Sequence, residues 1–333
     1  MAKSIITAFN EFLRDKVNLD TEQTKTAKAS KDWLIGQISN IAGANLDFPK
    51  IESLFTLHYG SFARRTKTKP LDDIDIMIGL DGNNCTYSLY STTHATIQVN
   101  NTTSNLTVLC NAGTNTLNSI KVINRFILHL KEVHQYRNAE LKRNNVAAVL
   151  NLTSYDWVFD IVPCFRTVDD ALGRNFYFIP DGDGNWQMTD PRIDQNRVTA
   201  INQKHNGKVL NVVRIIKFWN KQKTIITIPS YLLENIILNY YDTNYFISDY
   251  VDIEVPKILE HLTVVINLPF YDPKGMQGDI NTLTIEERAK VSNIASEHAK
   301  KANTARTYET AGNQHMSTLY WYDVFGDDFP RWG

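Results

Sequence analysis

Ile74, Ile76, Ile78 and Leu80 alternate with Asp73, Asp75, Met77 and Gly79, the period-two pattern of a β-strand with one apolar face. Asp73 and Asp75 therefore point the same way, with α-carbons about 6.6 Å apart at the strand rise. Two carboxylates at that separation can flank a pair of divalent cations, which two-metal enzymes hold roughly 3.5–4 Å apart. Without a metal they would repel each other and lose hydration for no return. An isolated Asp-x-Asp is most often a solvated strand end, but the residues upstream argue for more. Gly60-Ser61 follows an apolar strand-like run, and small residues there let backbone N–H groups approach a phosphate closely. Arg64, Arg65, Lys67 and Lys69 then place four cations between that turn and the acidic strand.

Mg²⁺ takes oxygen ligands in near-octahedral geometry, so a third acidic ligand is wanted. Residues 155–162 form another strand-like run in which Asp156, Val158, Asp160 and Val162 share one face. The two aspartates are about 13 Å apart along the strand, too far for one metal pair to use both. Asp160 has apolar neighbours on both sides, where an unpaired carboxylate would be costly. Asp156, beside Thr153-Ser154, reads as a solvated or hairpin residue.

The 333 residues, 43% of them hydrophobic, supply ample core for a two-part globule and exclude wholesale disorder. Apolar stripes predict helices over 5–17 and from Asp20 to about Gly43. Short alternating runs at 54–59, 71–80, 146–152 and 155–162 predict strands, with a helix from about Asn115 to Arg143 between the two pairs. The Asn/Thr/Ser-dense stretch 81–119 reads as a polar loop or hairpin insertion. Residues 181–194, rich in Gly and Asp, read as the connection between halves. Beyond Arg197 helical patterns dominate, at about 206–222, 230–241, 255–266 and 285–303, the last opened by a Thr284/Glu287 capping box. The fold class is thus α+β, with residues 1–180 as N-terminal helices and a mixed α/β core and residues 181–333 as a helical domain.

Thirty-five basic and 36 acidic side chains leave a net charge of −1, which argues against a protein held on nucleic acid or membrane by its overall charge. Any phosphate site must be local. Cys85, Cys110 and Cys164 are widely spaced and read as reduced structural thiols. No leader-like segment and no apolar run of roughly 20 residues is visible, so a cytoplasmic protein with no membrane partner is expected. On the helix at 206–222, Arg214, Lys217 and Lys221 fall on one stripe opposite Val209, Val212, Val213 and Ile216. By spacing alone this is either an ordinary solvated basic face or a triphosphate-binding one. Ser230, after Pro229, can serve as an N-cap, and Tyr231 as core.

Gly60-Ser61, eleven residues, Asp73-Ile74-Asp75, and later Asp160 before Ile161-Val162-Pro163 resemble the nucleotidyltransferase pattern shared by DNA polymerase β, oligoadenylate synthetase and cyclic GMP-AMP synthase. The segments from Arg214 to Lys221 and from Ile228 to Glu234, with the closing Trp321 to Pro330, resemble the cGAS/DncV-like nucleotidyltransferases of CBASS antiphage defence. The resemblance spans about residue 20 to the end, with 81–119 its least familiar part. It implies a polymerase-β-like core plus a C-terminal helical domain, bilobal with a central cleft. It further implies condensation of nucleoside triphosphates, ATP or others, into a cyclic di- or trinucleotide second messenger with release of pyrophosphate. Asp73, Asp75 and Asp160 would be catalytic and would hold two Mg²⁺ ions, with Mn²⁺ as the alternative. Gly60, Ser61, Lys217, Lys221 and Ser230 would bind the nucleotide's phosphates, and Tyr231 would stack on its base. The product would act on a downstream effector, and an operon-encoded conjugating enzyme would act on Gly333. Two other readings keep part of this picture: transfer to a tRNA or protein acceptor, which the neutral charge disfavours for RNA, and a nucleotide-binding pseudoenzyme, which the three intact aspartates disfavour.

Overall fold

Local sequence signals set most of the elements, here described in a computed structural model over residues 4–82, 84–222 and 225–333. The stripe Ile5, Phe9 and Phe12 builds α1 (Ile5–Phe12), capped by the Ser4 hydroxyl and continued by a π-helical turn at Leu13–Val17. Next come α2 (Thr21–Ala44), β1 (Leu57–His58), the single turn α3 (Gly60–Ala63) and β2 (Asp73–Gly79). The stretch 81–119 contains a hairpin, β3 (Thr86–Ser91) and β4 (His94–Gln98), paired antiparallel. Ala95, Ile97, Val99, Leu106 and Leu109 carry its weak apolar alternation into the interior.

The helix expected from 115 to 143 is shorter. It runs as α4 (Ser119–Leu130), with Asn118 as its cap, and is followed by the hairpin β5 (Glu140–Asn144) and β6 (Ala147–Asn151). Only Leu141 of β5 is buried, so its alternation rests on one apolar residue. A Lys/Arg/Glu-rich segment of this kind has the propensity of a helix, and pairing with β6 overrides it. Asn145, at φ 49°, makes the tight turn between the two strands. The long strand β7 (Val158–Arg166) follows, then β8 (Tyr177–Pro180) and β9 (Trp186–Thr189). The Gly- and Asp-rich stretch read as a connection is thus largely a third hairpin, β8 with β9. Its turn is tied by Asp181 Oδ1, which accepts from the backbone N–H groups of Asp183 and Asn185. The remaining helices are α5 (Pro191–Lys204), α6 (Val209–Asn220), α7 (Ser230–Thr243), α8 (Val251–Val265), α9 (Ile285–Thr310) and α10 (Gln314–Phe325). The Thr284/Glu287 capping box opens α9 as expected.

The chain forms two compact units, neither continuous in sequence. One holds Thr21–Ala63 and Leu71–Asp194, and with them all nine strands found among the described residues: a mixed sheet in the order β1-β2-β7-β8-β9-β4-β3, with β5 and β6 branching beside β7. The other holds the chain up to Asp20, Arg64–Pro70 and Gln195–Gly333, and is helical. α1, expected with the first half of the sequence, packs in this helical unit. The reason is aromatic: Phe9 meets Trp321 edge-on at 4.8 Å and Phe329 at 5.1 Å, and Phe12 contacts Phe218, Phe325 and Phe329 at 5.0, 5.1 and 5.3 Å. Such pairs add about 0.5–1.5 kcal/mol each beyond the area they bury. The three cysteines are unpaired thiols. Among the described residues no helix is long and apolar enough to cross a membrane.

Phe12 is fully buried among three rings, so Phe12→Ala is expected to cost about 3–5 kcal/mol, read as a lower urea midpoint of the helical unit. A change below about 1 kcal/mol would show that α1 is not held by this cluster.

Candidate active site

The acidic residues are arranged by strand pairing. β2 and β7 run parallel, with Asp73 opposite Val158 and Asp75 opposite Asp160. Partners in a parallel pair lie side by side on one face, about 4.8 Å apart, so Asp75 and Asp160 are neighbours and Asp73 is the next residue along the same face. The opposite face carries Ile74, Ile76, Phe159 and Ile161, all fully buried. The carboxylate face changes character deeper in the sheet, where Met77, Val162, Cys164 and Val149 form a buried apolar patch. The strand has a single apolar face only at its start, and the three half-buried aspartates occupy that open end. Asp156 is exposed in the turn before β7, outside the row.

Gly60 is the residue that most tightly constrains this face. Its φ is +73°, and a Cβ on it would lie 1.8 Å from Asp75 Oδ2. Only glycine both adopts that backbone conformation without strain and leaves room for the carboxylate. The preceding Tyr59 donates its backbone N–H to the Asp75 carbonyl at 3.5 Å. Its phenol is pushed well above its ordinary pKa, by burial first and then by the charges of Asp75, Asp160, Cys164 and Asp73. Ser61, partly buried, lies in the first turn of α3 directly after Gly60. Gly60, Ser61, Asp73, Asp75 and Asp160 thus come together in the sheet unit.

Lys217, Lys221, Ser230 and Tyr231 lie in the helical unit. The basic stripe of α6 is less open than its spacing implies. Lys217 is 5% exposed, with Nζ 3.5 Å from Glu234 Oε2. Arg214 donates to the Arg65 carbonyl at 2.8 Å, and the exposed Lys221 points Nζ at the Lys69 carbonyl at 3.5 Å. All three side chains bear on Arg64–Pro70 or on the carboxylate that holds it. Ser230 is the exposed first residue of α7, with Pro229 in the N-cap position and no side-chain cap.

Tyr231 is fixed by a loop to which the sequence assigns no role. Its hydroxyl donates to Asp272 Oδ1 at 2.9 Å and accepts from Lys274 Nζ at 2.7 Å. Asp272 is buried and also accepts from the backbone N–H groups of Lys274, Met276 and Gln277. Burial alone would raise its carboxyl pKa, but Lys274 and these hydrogen bonds outweigh it and hold the pKa below the usual range. The sequence signal, Asp-Pro followed by two glycines, is that of any tight turn.

Among the described residues no group of three or more His, Cys, Asp and Glu side chains forms a ready-made metal cage. The donor set is an open row of carboxylates. That suits Mg²⁺, which keeps several waters and is held by one or two carboxylates together with substrate phosphates.

The strain at Gly60 is testable against a helical glycine. Gly60→Ala is expected to destabilise by about 1–3 kcal/mol. Gly36→Ala in α2, where nothing lies within 4 Å of the new methyl, is expected to stabilise by about 0.5–1 kcal/mol. Thermal melts showing the same sign for both would refute the close fit at Gly60.

No family model matches the chain. It is 42% identical over 331 residues, 99% of each chain, to a Bacillus cereus protein named a probable cyclic nucleotide synthase. Among solved structures it is similar to E. coli CdnC with ATP, at a TM-score of 0.69 and 15% identity, covering 97% of this chain and 98% of that one. It is also similar to the Vibrio cholerae DncV cyclic AMP-GMP synthase in complex with the linear intermediate pppA(3′,5′)pG, at a TM-score of 0.68 and 10% identity, covering 98% and 97%. These likenesses establish a shared fold, and the full-length identity to the Bacillus protein establishes kinship. The chain belongs to the cGAS/DncV-like nucleotidyltransferase family.

Proposed function

We propose that this protein is a nucleotidyltransferase that condenses nucleoside triphosphates, with release of pyrophosphate, into a cyclic di- or trinucleotide second messenger. The observation that carries this reading is the in-register row of Asp73, Asp75 and Asp160 on one open sheet face, with Gly60 packed against Asp75. The name of the Bacillus relative and the ligand of the DncV structure support the choice of a cyclic product.

Asp73 and Asp75 would hold both Mg²⁺ ions and Asp160 one of them. When bound, such ions supply Lewis-acid neutralisation of phosphate charge and lower the pKa of an acceptor 2′- or 3′-hydroxyl. The backbone at Gly60-Ser61 and the Ser61 hydroxyl bind phosphate oxygens. Lys217, Lys221 and Ser230 act on the same triphosphate, and Tyr231, held by Asp272 and Lys274, stacks on the base. The attacking hydroxyl oxygen forms the bond to the α-phosphorus, and the bond from that phosphorus to the α–β bridging oxygen breaks. Pyrophosphate carries away the electron pair, and the proton of the attacking hydroxyl passes to solvent. Positioning and electrostatics dominate such transfers, and this chain's residues serve both. Acting in the cytoplasm in an antiphage signalling system belongs to the same proposal.

Replacing Asp73 and Asp75 together by Ala is expected to lower product formation from radiolabelled NTPs and Mg²⁺ by more than about 10³-fold, with the thermal melt retained. Incubating the wild-type protein with each NTP alone and in pairs, and identifying products by mass spectrometry, tests the cyclic product. Undiminished synthesis by the double variant would overturn the assignment.

A further inference from the structure

The loop between α8 and α9 is folded around one carboxylate. Asp272 is 4% exposed. Its Oδ1 accepts the backbone N–H of Lys274 at 3.2 Å, and its Oδ2 those of Met276 at 3.2 Å and Gln277 at 3.1 Å. The backbone closes around it as well: the Asp272 N–H donates to the Gly278 carbonyl and the Gly275 N–H to the Asp272 carbonyl, both at 2.8 Å. Phe270, Met276 and Ile280 fix the loop through their buried side chains. These bonds stay within the turn. One more leaves it, since Oδ1 also accepts from Tyr231 Oη on α7 at 2.9 Å.

Tyr231 lies in the first turn of α7, with its ring packed against the helical core but only partly buried. A phenol hydroxyl sits on the long axis of its ring, so holding the hydroxyl fixes where that axis points. The bond to Asp272 is charge-assisted and stronger than one between neutral groups. Lys274 Nζ donates to the same hydroxyl oxygen at 2.7 Å and lies 4.3 Å from the ring centroid, a cation–π contact that restrains rotation about the axis. Only a carboxylate has acceptors on both branches. An amide in its place would turn Nδ2, a donor, either towards the Met276 and Gln277 N–H groups or towards Tyr231. The position therefore demands Asp if it is to tie the turn and hold the tyrosine at once.

We propose that Asp272 is a positioning residue for base recognition: its carboxylate locks the loop into one shape and, through the hydroxyl, holds the Tyr231 ring in the orientation that receives a nucleobase. This rests on the reading that Tyr231 stacks on the base. Asp272 touches neither base nor phosphate and acts only through Tyr231. Every base has a π-face, and stacking is tolerant of base identity, so the anchor strengthens binding of purine nucleotides alike without choosing between them. Groups that bind only the triphosphate do not depend on it.

The test is calorimetric affinity, with Mg²⁺, for the α,β-methylene analogues of ATP and GTP, which cannot release pyrophosphate, and for inorganic tripolyphosphate, which has no base. The readout is the ratio of nucleotide to tripolyphosphate affinity. Tyr231→Ala is expected to lower that ratio about tenfold. Tyr231→Phe, which keeps the ring and removes only the hydroxyl, and Asp272→Asn are each expected to lower it about threefold or more, by the same factor for both nucleotides. The two together lower it no further than the larger single effect, and tripolyphosphate affinity stays at the wild-type value throughout. If Tyr231→Ala leaves the ratio unchanged, the stacking reading falls and this inference with it. If Tyr231→Ala lowers the ratio while Tyr231→Phe matches wild type, packing alone orients the ring and the positioning role alone is overturned. Equal weakening of nucleotide and tripolyphosphate by Asp272→Asn, with a lowered thermal melt, would show a structural role and overturn it too.

Discussion

The parallel pairing of β2 with β7 is the constraint on which the site depends. Parallel strands put register partners on the same face, so a pairing that sets Asp75 opposite Asp160 gathers residues 85 positions apart in sequence into one row with Asp73. A slip of one residue would turn Asp160 to the face that Ile74, Ile76, Phe159 and Ile161 keep buried. The apolar side chains of that face hold the register, and the carboxylates follow from it. The same face is apolar at Met77 and Val162, so the row can only sit at the open end of the pair, where the aspartates are half-buried rather than enclosed. Gly60 completes the arrangement, since its missing side chain is the space that the Asp75 carboxylate occupies.

The helical unit has a counterpart organised by charge. Glu234 joins α7, α6 and the Arg64–Pro70 segment on one buried carboxylate. That segment lies in sequence between the glycine turn and the acidic strand, yet packs with the helices. Its cations, which look in sequence like a phosphate-facing basic loop, are in part structural: Arg64 is spent on Glu234, and the Arg65 carbonyl receives Arg214. Tyr231 is similarly immobilised by Asp272 and Lys274. A ring held at its hydroxyl by an acceptor and a cation has little conformational freedom left to lose.

Local periodicity and capping made much of this legible. The β2 alternation, the α1 stripe, the hairpin within 81–119 and the Thr284/Glu287 box are all short-range signals, and all are found. The failures share one cause. β5 carries a single buried residue and takes its conformation from β6, and α1 takes its place from aromatic residues more than 300 positions away. Glu234 carries only a weak signal, an acid within an apolar helical run. Asp272 gave none beyond a turn, because the side chain it holds lies 41 residues upstream.

The sequence alone determined which side chains the proposed chemistry would use. Three aspartates at fixed strand parity and a glycine-serine turn suit the phosphoryl transfer proposed above, because parity follows from the two-residue repeat of any strand. It also determined the α+β class, through hydrophobic period. Only the tertiary structure decided which carboxylates are neighbours, which cations are bound internally and which carboxylate binds them, and to which compact unit each segment belongs. Those depend on pairing register and burial, which arise between residues distant in the chain and leave no periodic trace in it.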